Sequence, residues 1–287
     1  MWTEIDAHIS QVTGEEFYSL HRRSVSGGCI NQGYAICCDQ LTYFVKINQA
    51  SQVTMFEAEA LGLQHMLQTA TIRVPKPICW GISGDSGYIV LEWLEMGRGN
   101  TLSWEEMGRK LAAMHKATSS PWFGWVMNNT IGSTTQINTQ TADWTEFYAK
   151  YRLGYQFQLA RRQGGSFPQE KELLAALPIL LAEHQPQASL VHGDLWGGNA
   201  GCTELGEPVI FDPATYFGDR EVDLAMTELF GSLPAAFYHG YNEVWPLDKG
   251  YERRKTLYNL YHILNHFNLF GGSYQGQANR MINQILG

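Results

Sequence analysis

Asp194, Asn199 and Asp212 are the residues of this chain whose types and spacing best suit chemistry. Asn199 follows Asp194 by five residues in VHGDLWGGN, and Asp212 follows it by eighteen, ending the apolar strand Pro208–Phe211 in VIFDPA. Phosphoryl transfer to a hydroxyl needs few protein parts: a carboxylate for the acceptor, oxygen ligands for magnesium, and a cation on the phosphates. In that chemistry Asp194 accepts the hydroxyl proton, while Asn199 and Asp212 hold Mg2+. Magnesium suits the set, because it prefers oxygen ligands and takes the remainder from nucleotide and water. A lone Asp-x4-Asn would be read as a turn, since Asp, Asn and Gly commonly build turns. Here a strand and His192 precede it, and a second strand–Asp unit follows at the interval of a kinase catalytic loop and its metal-binding aspartate.

The phosphate cation is sought upstream. Lys46 stands in TYFVKI, a run rich in β-branched and aromatic residues, about fifteen residues after a Gly-rich turn. A kinase carries its phosphate lysine on such a strand and holds it with a glutamate from the next helix. Glu57 and Glu59 both qualify, and Glu59 is preferred because it lies nearer the apolar run that fixes the helix. The turn Ser26–Gly33 could lay backbone N–H groups of Gly27, Gly28, Cys29, Ile30 and Asn31 over the phosphates of ATP. It lacks GxGxxG spacing and any GKS or GKT, which excludes a Walker-type loop. The apolar strand Tyr88–Glu92 runs into a hinge whose backbone, near Glu92 and Leu94, could bond the adenine edge.

These residues need elements to position them. The first ninety residues read mainly as short strands: Phe17–Ser24, Gly33–Cys38, Thr42–Ile47, Ile78–Ile82 and Tyr88–Glu92. A helix is expected over Met55–Leu67 from its apolar spacing. Beyond Ser103 the pattern becomes helical, with Ser103 and Glu106 as a capping box and Asp143 and Glu146 opening a helix over Trp144–Arg161. Between them 119–141 is too long for an ordinary connection and reads as a functional loop. A further helix is expected over Gln169–Glu183, and the last seventy residues look helical. The expected architecture is α+β and bilobal: residues 1–95 form a β-rich nucleotide-binding lobe, and residues 96–287 a mainly helical catalytic and substrate lobe.

Composition sets outer limits. Apolar residues at 44% and charged residues at 17% are the balance of a globular chain. A net charge of −8 disfavours broad contact with nucleic acid or anionic lipid. The first residues carry two acids and no apolar core of signal-peptide length, and no run approaches the ~18 residues of a membrane span. Five cysteines without a CxxC pair read as free thiols in a reducing compartment, so the expected location is the cytoplasm. Cys37 and Cys38, adjacent in a strand, point to opposite faces and are poor partners. Cys29 in the Gly-rich turn is a candidate for oxidation. Oligomeric state is not legible.

At this level of detail the chain resembles the fructosamine kinase family, a relative of aminoglycoside phosphotransferases and choline kinases in the protein-kinase-like fold. The matching stretches are GGCIN, FVKIN, MFEAEALGL, VPKPI, NNTIGSTTQIN, VHGDLWGGN, IFDPATYFGDREVDLAM and YNLYHILNHFNLFGG, which run through nearly the whole chain in order. HGDLWGGN with DPATYFGDRE is more specific than the general kinase pattern, since the Trp and the GDRE segment are usually absent from aminoglycoside and choline kinases. The resemblance implies Asp194 as base, Asn199 and Asp212 as metal ligands, and Lys46 with Glu59 on the phosphates. It also implies a substrate: ketoamines, including glycated lysines, phosphorylated on the 3-hydroxyl. The product then loses phosphate and releases the amine.

The residues themselves add detail. Trp196, two positions past Asp194, could stack on the apolar face of a sugar. Asp219 is expected to face the acceptor, while Arg220 and Glu221 tie their loop to the lobe. TYFGDRE contains no Ser/Thr-rich activation loop and no APE signature, which argues against a protein kinase that reads peptide sequence. Of the tail residues His262, Asn265, His266 and Asn268, one is expected in the acceptor cleft and the rest in helical core. The competing readings are a kinase for an aminoglycoside, choline or homoserine, and a non-catalytic nucleotide-binding protein.

Overall fold

The structure is a computed structural model that describes residues 1–25, 30–39 and 41–287. Helix α1 (Trp2–Thr13) opens the chain. An antiparallel sheet follows in the spatial order β1-β2-β3-β5-β4, built from β1 (His21–Val25), β2 (Gln32–Cys37), β3 (Thr42–Gln49), β4 (Pro77–Ser83) and β5 (Ser86–Glu92). Helix α2 (Val53–Gln68) joins β3 to β4.

Alternation along the central strands assigns each face. Tyr88 and Val90 of β5 join Val45 and Ile47 of β3 in a small core closed by Ile5 and Ile9 of α1. Ile89 and Leu91 point the other way, into the main core with Phe56 and Leu63 of α2. Lys46, between Val45 and Ile47, is thereby turned away from the α1 side. The sequence reading of the front as mainly strands missed α1. Only Ile5, Asp6 and Ile9 of that helix are buried, so its apolar stripe is too narrow to stand out. Its first strand also starts later than expected, at His21.

The rest of the chain is mostly helical. After β6 (Met96–Gly97) come α3 (Thr101–Ala117), the hairpin β7 (Asn129–Ile131) and β8 (Thr134–Gln136), α4 (Trp144–Phe147), a π-helical turn (Tyr148–Gly154), α5 (Tyr155–Arg162) and α6 (Glu170–Leu180). Strands β9 (Ser189–Val191), β10 (Ala200–Thr203), β11 (Pro208–Ile210) and β12 (Tyr216–Gly218) frame the two motif loops. Helices α7 (Glu221–Leu229), α8 (Ala235–Val244), α9 (Tyr251–Phe270) and α10 (Tyr274–Leu286) complete the fold.

Three local expectations need correction. Asn100, not Ser103, caps α3: its side chain accepts the Ser103 N–H, so the helix begins one turn earlier than the capping box implied. The 119–141 segment is not structureless but carries the β7–β8 hairpin. The helix over Trp144–Arg161 does start at the Asp143 cap, yet its middle is a π-helical turn that brings Arg152 into the interior. Among the described residues no helix is long and apolar enough to cross a membrane.

Candidate active site

The strand-turn units place the motif residues at the mouth of one cleft of about 930 Å³ between the five-stranded sheet and the helices. Strands β9 and β12 pair antiparallel, as do β10 and β11, so the loops after β9 and β11 emerge side by side. Gly193 has φ +82°, and a Cβ there would lie 2.2 Å from the Ala214 carbonyl, so the first loop can cross the second only with glycine at that point. His192 ties the loops together. Its Nδ1 accepts the Asp194 N–H at 3.3 Å and its Nε2–H donates to the Phe211 carbonyl at 2.9 Å. Burial lowers its pKa, which keeps the ring neutral as those two bonds require.

Within the first loop the Asn199 amide nitrogen donates to the Asp194 carbonyl at 2.8 Å and to its carboxylate at 3.2 Å. With Nδ2 so engaged, Oδ1 is the atom Asn199 has left for a cation. Burial, and next the nearby Asp212 carboxylate, push the Asp194 carboxyl well above its ordinary value. Asp212 itself has φ 58°, a left-handed conformation uncommon outside glycine, which turns it off the strand. Its Oδ1 accepts from Lys46 Nζ. Lys46 is also bonded to Glu59 Oε1 at 2.6 Å, and both are nearly excluded from solvent. Glu57, one helix position pair away, is exposed. Burial works against the charge on Lys46, but Asp212 and Glu59 outweigh it and hold the ammonium well above its ordinary pKa.

One end of the cleft is an apolar slot formed by Val25, Phe44, Leu91, Leu94, Met96 and Phe211. Ile30 and Asn31 also line it, with Asn31 Oδ1 accepting from Asn48 at 2.8 Å. Gly27, Gly28 and Cys29 lie outside the described residues. The Glu92 N–H donates to the Lys76 carbonyl at 2.8 Å and its carboxylate pairs with Arg73, so that amide is not open to a ligand. Leu94 meets no other backbone group among the described residues.

The cleft also has an aromatic part, with Trp196, Phe230, Phe270 and Tyr274 in its lining. Trp196 is 40% exposed and edges against Phe230 at 6.5 Å between ring centres. His262, Asn265 and His266 of α9 also line the cleft, three residues where the sequence suggested one, because successive turns of α9 run along the cleft wall. Burial pushes the His262 pKa down to about 3. Asp219 is not in the cleft. It is 1% exposed and held by His184 Nε2 at 2.6 Å, the Tyr258 hydroxyl at 2.5 Å and the Glu221 N–H at 3.1 Å. Those donors satisfy its carboxylate inside the lobe, so an acceptor-facing role is corrected to a structural one. Glu221 is in turn bonded by both Arg254 Nε and Nη2, at 2.7 and 2.8 Å.

Two supports were not read from sequence. Asp223 of α7 accepts the backbone N–H groups of His192 and Gly193. The β7–β8 hairpin grips the segment after Asp212: Asn129 Nδ2 donates to the Thr215 carbonyl at 2.7 Å and Gln136 Nε2 to the Ala214 carbonyl at 2.9 Å. Asn and Gln in a polar stretch are unremarkable by type, and only their burial marks them.

Comparison with known proteins agrees with this geometry. The profile of the fructosamine kinase family matches residues 1–287, and the chain belongs to that family. A Synechocystis protein named a probable ketoamine kinase is 59% identical over 99% of this chain and 97% of its own length. The chloroplastic protein-ribulosamine 3-kinase of Arabidopsis thaliana is 46% identical over 92% of this chain and 82% of its own. The crystal structure of a putative fructosamine-3-kinase from Haemophilus somnus superposes with a TM-score of 0.93 at 31% identity, covering 100% of this chain and 98% of that one. Aminoglycoside phosphotransferase APH(4)-Ia shares the fold at a TM-score of 0.66 and 15% identity, covering 100% of this chain and 98% of that one. The protein is thus a kinase of the bilobal, protein-kinase-like α+β fold.

Proposed function

We propose that the chain is an ATP-dependent kinase that phosphorylates the 3-hydroxyl of ketoamines, with ribulosamine or fructosamine adducts of amines as acceptors. The observation that carries the reading is the convergence of Asp194, Asn199, Asp212 and the Lys46–Glu59 pair at one cleft whose aromatic part offers Trp196 to a sugar. The two kinds of name borne by its relatives, ketoamine kinase and ribulosamine 3-kinase, support the acceptor class.

The residues divide the work as follows. Asp194 orients the acceptor hydroxyl and takes its proton as the oxygen bonds to the γ-phosphorus and the bond to the β-phosphate oxygen breaks. Lys46, fixed by Glu59, offers its ammonium to the phosphates. The donor set of Asn199 Oδ1 and the Asp212 carboxylate is all oxygen, which fits Mg2+; bound there, the ion would neutralise charge on the phosphates. The apolar slot receives adenine, with the Leu94 backbone at its edge and Ile30 and Asn31 near the phosphates. Residues 1–95 then form the nucleotide lobe and 96–287 the catalytic and substrate lobe. Cytoplasmic location, and no use of nucleic acid or membrane, complete the reading; the −8 net charge supports it.

The test is a coupled assay of ADP release with ribulose and fructose adducts of a simple amine beside aminoglycosides, choline and homoserine. Turnover of the ketoamines with Mg2+ and ATP is expected. Selective turnover of any other acceptor class would overturn the assignment.

A further inference from the structure

The cleft does not end at Trp196. From it a run of rings continues through Phe230 and His266 to Phe270 and Tyr274, with neighbouring ring centres between 4.7 and 6.5 Å apart. Phe230 is 40% exposed and Phe270 61%, although each is large enough to be worth burying. All five residues belong to the wall of the cleft that holds Asp194. A protein rarely leaves a contiguous aromatic strip facing water beside a reactive carboxylate without something to lay on it.

We infer that this strip is the seat of the amine-bearing part of the acceptor, the alkyl stem and adjoining backbone of a peptide-linked lysine. The inference rests on the ketoamine reading. In a ketoamine the 3-hydroxyl and the amine lie on opposite sides of one carbonyl carbon, so a hydroxyl placed at Asp194 sends the nitrogen and its substituent outward past Trp196. That nitrogen is a secondary alkylamine and, like a lysine, is protonated at neutral pH. A cation with an aliphatic stem is what aromatic faces favour, through the ring quadrupole and through apolar contact. A lysine stem reaches roughly 6 Å at ordinary bond lengths, about the step from Trp196 to Phe230. The peptide that carries it then meets His266, Phe270 and Tyr274. Burial lowers the His266 pKa, so the strip presents no opposing cation at its centre.

The strip makes a difference between acceptors that a packing role would not make. Two ribulose adducts are compared on the full chain, one of methylamine and one of Nα-acetyl-lysine methylamide. For Phe230→Ala and Phe270→Ala, kcat/KM on the lysine adduct is expected to fall by roughly 3- to 10-fold, the scale of one ring's apolar contact with the stem or the peptide. The methylamine adduct, too short to reach, should change by less than about 2-fold. Equal losses on both adducts, or no loss on either, would overturn the inference. Wild-type turnover of the methylamine adduct tests the ketoamine reading on its own, and inactivity on both adducts would remove both.

Discussion

The Asp223 carboxylate grips the loop that carries Asp194 by its backbone, its Oδ1 accepting the Gly193 N–H at 2.8 Å. The other oxygen accepts the His192 N–H at 2.7 Å and meets His115 Nε2 at 3.1 Å, all out of solvent. Burial alone would raise its pKa, but the bond and charge of His115, with the Gly193 amide, outweigh it and hold the carboxyl below its ordinary value. A depressed folded pKa contributes stability that is complete above the unfolded value near ~3.9 and is lost as pH falls through the folded one. Asp223→Asn should therefore destabilise by roughly 2–4 kcal/mol near neutrality, the cost of breaking buried charge-assisted bonds. Thermal melts of both proteins between pH 3 and 6 check the sign. The gap in Tm should be constant above about pH 5 and narrow in the acid limb below about pH 4.

Lys46 contacts Glu59 and not Glu57, which predicts an order among three variants. Lys46→Met should lower kcat by roughly 10²–10³, the range seen when one preorganised electrostatic group is lost. Glu59→Ala should lower it less, by about 10-fold, and Glu57→Ala hardly at all. Steady-state kinetics with saturating ATP gives the comparison. A larger effect at Glu57 than at Glu59 would mean that the helix sits differently in the working enzyme.

How far the site was legible follows from where its information is stored. Asp194, Asn199 and Asp212 are set by local spacing on strand–turn units; Lys46, 166 residues from Asp212, was legible because a kinase pattern places a lysine on such a strand after a Gly-rich turn. Asp219 shares that neighbourhood in sequence but is turned inward by partners 35 and 39 residues away, His184 and Tyr258, which no local pattern announces. Asp223 and Gln136 act on backbone groups 30 and 78 residues distant, and look like ordinary helix and loop residues until the fold brings them there. Helix α1 was missed for a related reason: only a few of its positions are buried, and on a sheet face that exists only after β4 and β5 form.

Asp219 in its buried clasp predicts a stability defect without a substrate defect. Asp219→Asn should lower Tm by several degrees while KM for ketoamine and for ATP stay within about 2-fold. The partner side chain supplies a pH signature. Burial disfavours a charged His184, but the bond and charge of Asp219, then Glu221, reverse this and raise its pKa. A raised folded pKa contributes stability that is full below the unfolded value near ~6.5 and fades as pH rises through the folded one. The Tm difference between wild type and His184→Gln should therefore be largest near pH 6 and shrink toward alkaline pH. A substantial rise in ketoamine KM for Asp219→Asn would restore a role in the acceptor site.

Trp196 divides the two substrates. It lines the same cleft as Asp194, and a Cβ on Gly198 would lie 2.3 Å from its ring. Trp196→Ala should raise KM for the ketoamine by roughly 10-fold or more, in line with losing an aromatic contact, and leave KM for ATP unchanged. Gly198→Ala should reproduce part of the effect by displacing the indole. Equal losses for sugar and nucleotide in Trp196→Ala would assign the ring to packing.

The most consequential buried charge is Arg152, which the π-helical turn carries to full burial. No carboxylate among the described residues bonds it. Instead the guanidinium lies 4.0 Å from the Tyr216 ring centre and 4.5 Å from that of Phe147, and donates to the Ile137 carbonyl at 2.7 Å and to Asn138 Oδ1 at 2.8 Å. Asn138 donates to Asn129 Oδ1, which also accepts from Gln136, and these two hold the Thr215 and Ala214 carbonyls. The cation thus anchors a chain of amides that ends two residues past Asp212. Arg152→Met keeps volume and apolar contact with the rings but leaves a buried carbonyl and an amide oxygen without donors, a cost of about 1–3 kcal/mol for each. It should lower Tm and kcat together. Gln136→Ala removes one link at the far end of the chain, and kcat should fall by roughly 10-fold with a smaller change in Tm. Parallel kcat and melting measurements on the two variants separate the effects. If Gln136→Ala lost stability but kept wild-type turnover, the amide chain would serve the core and not the position of Asp212.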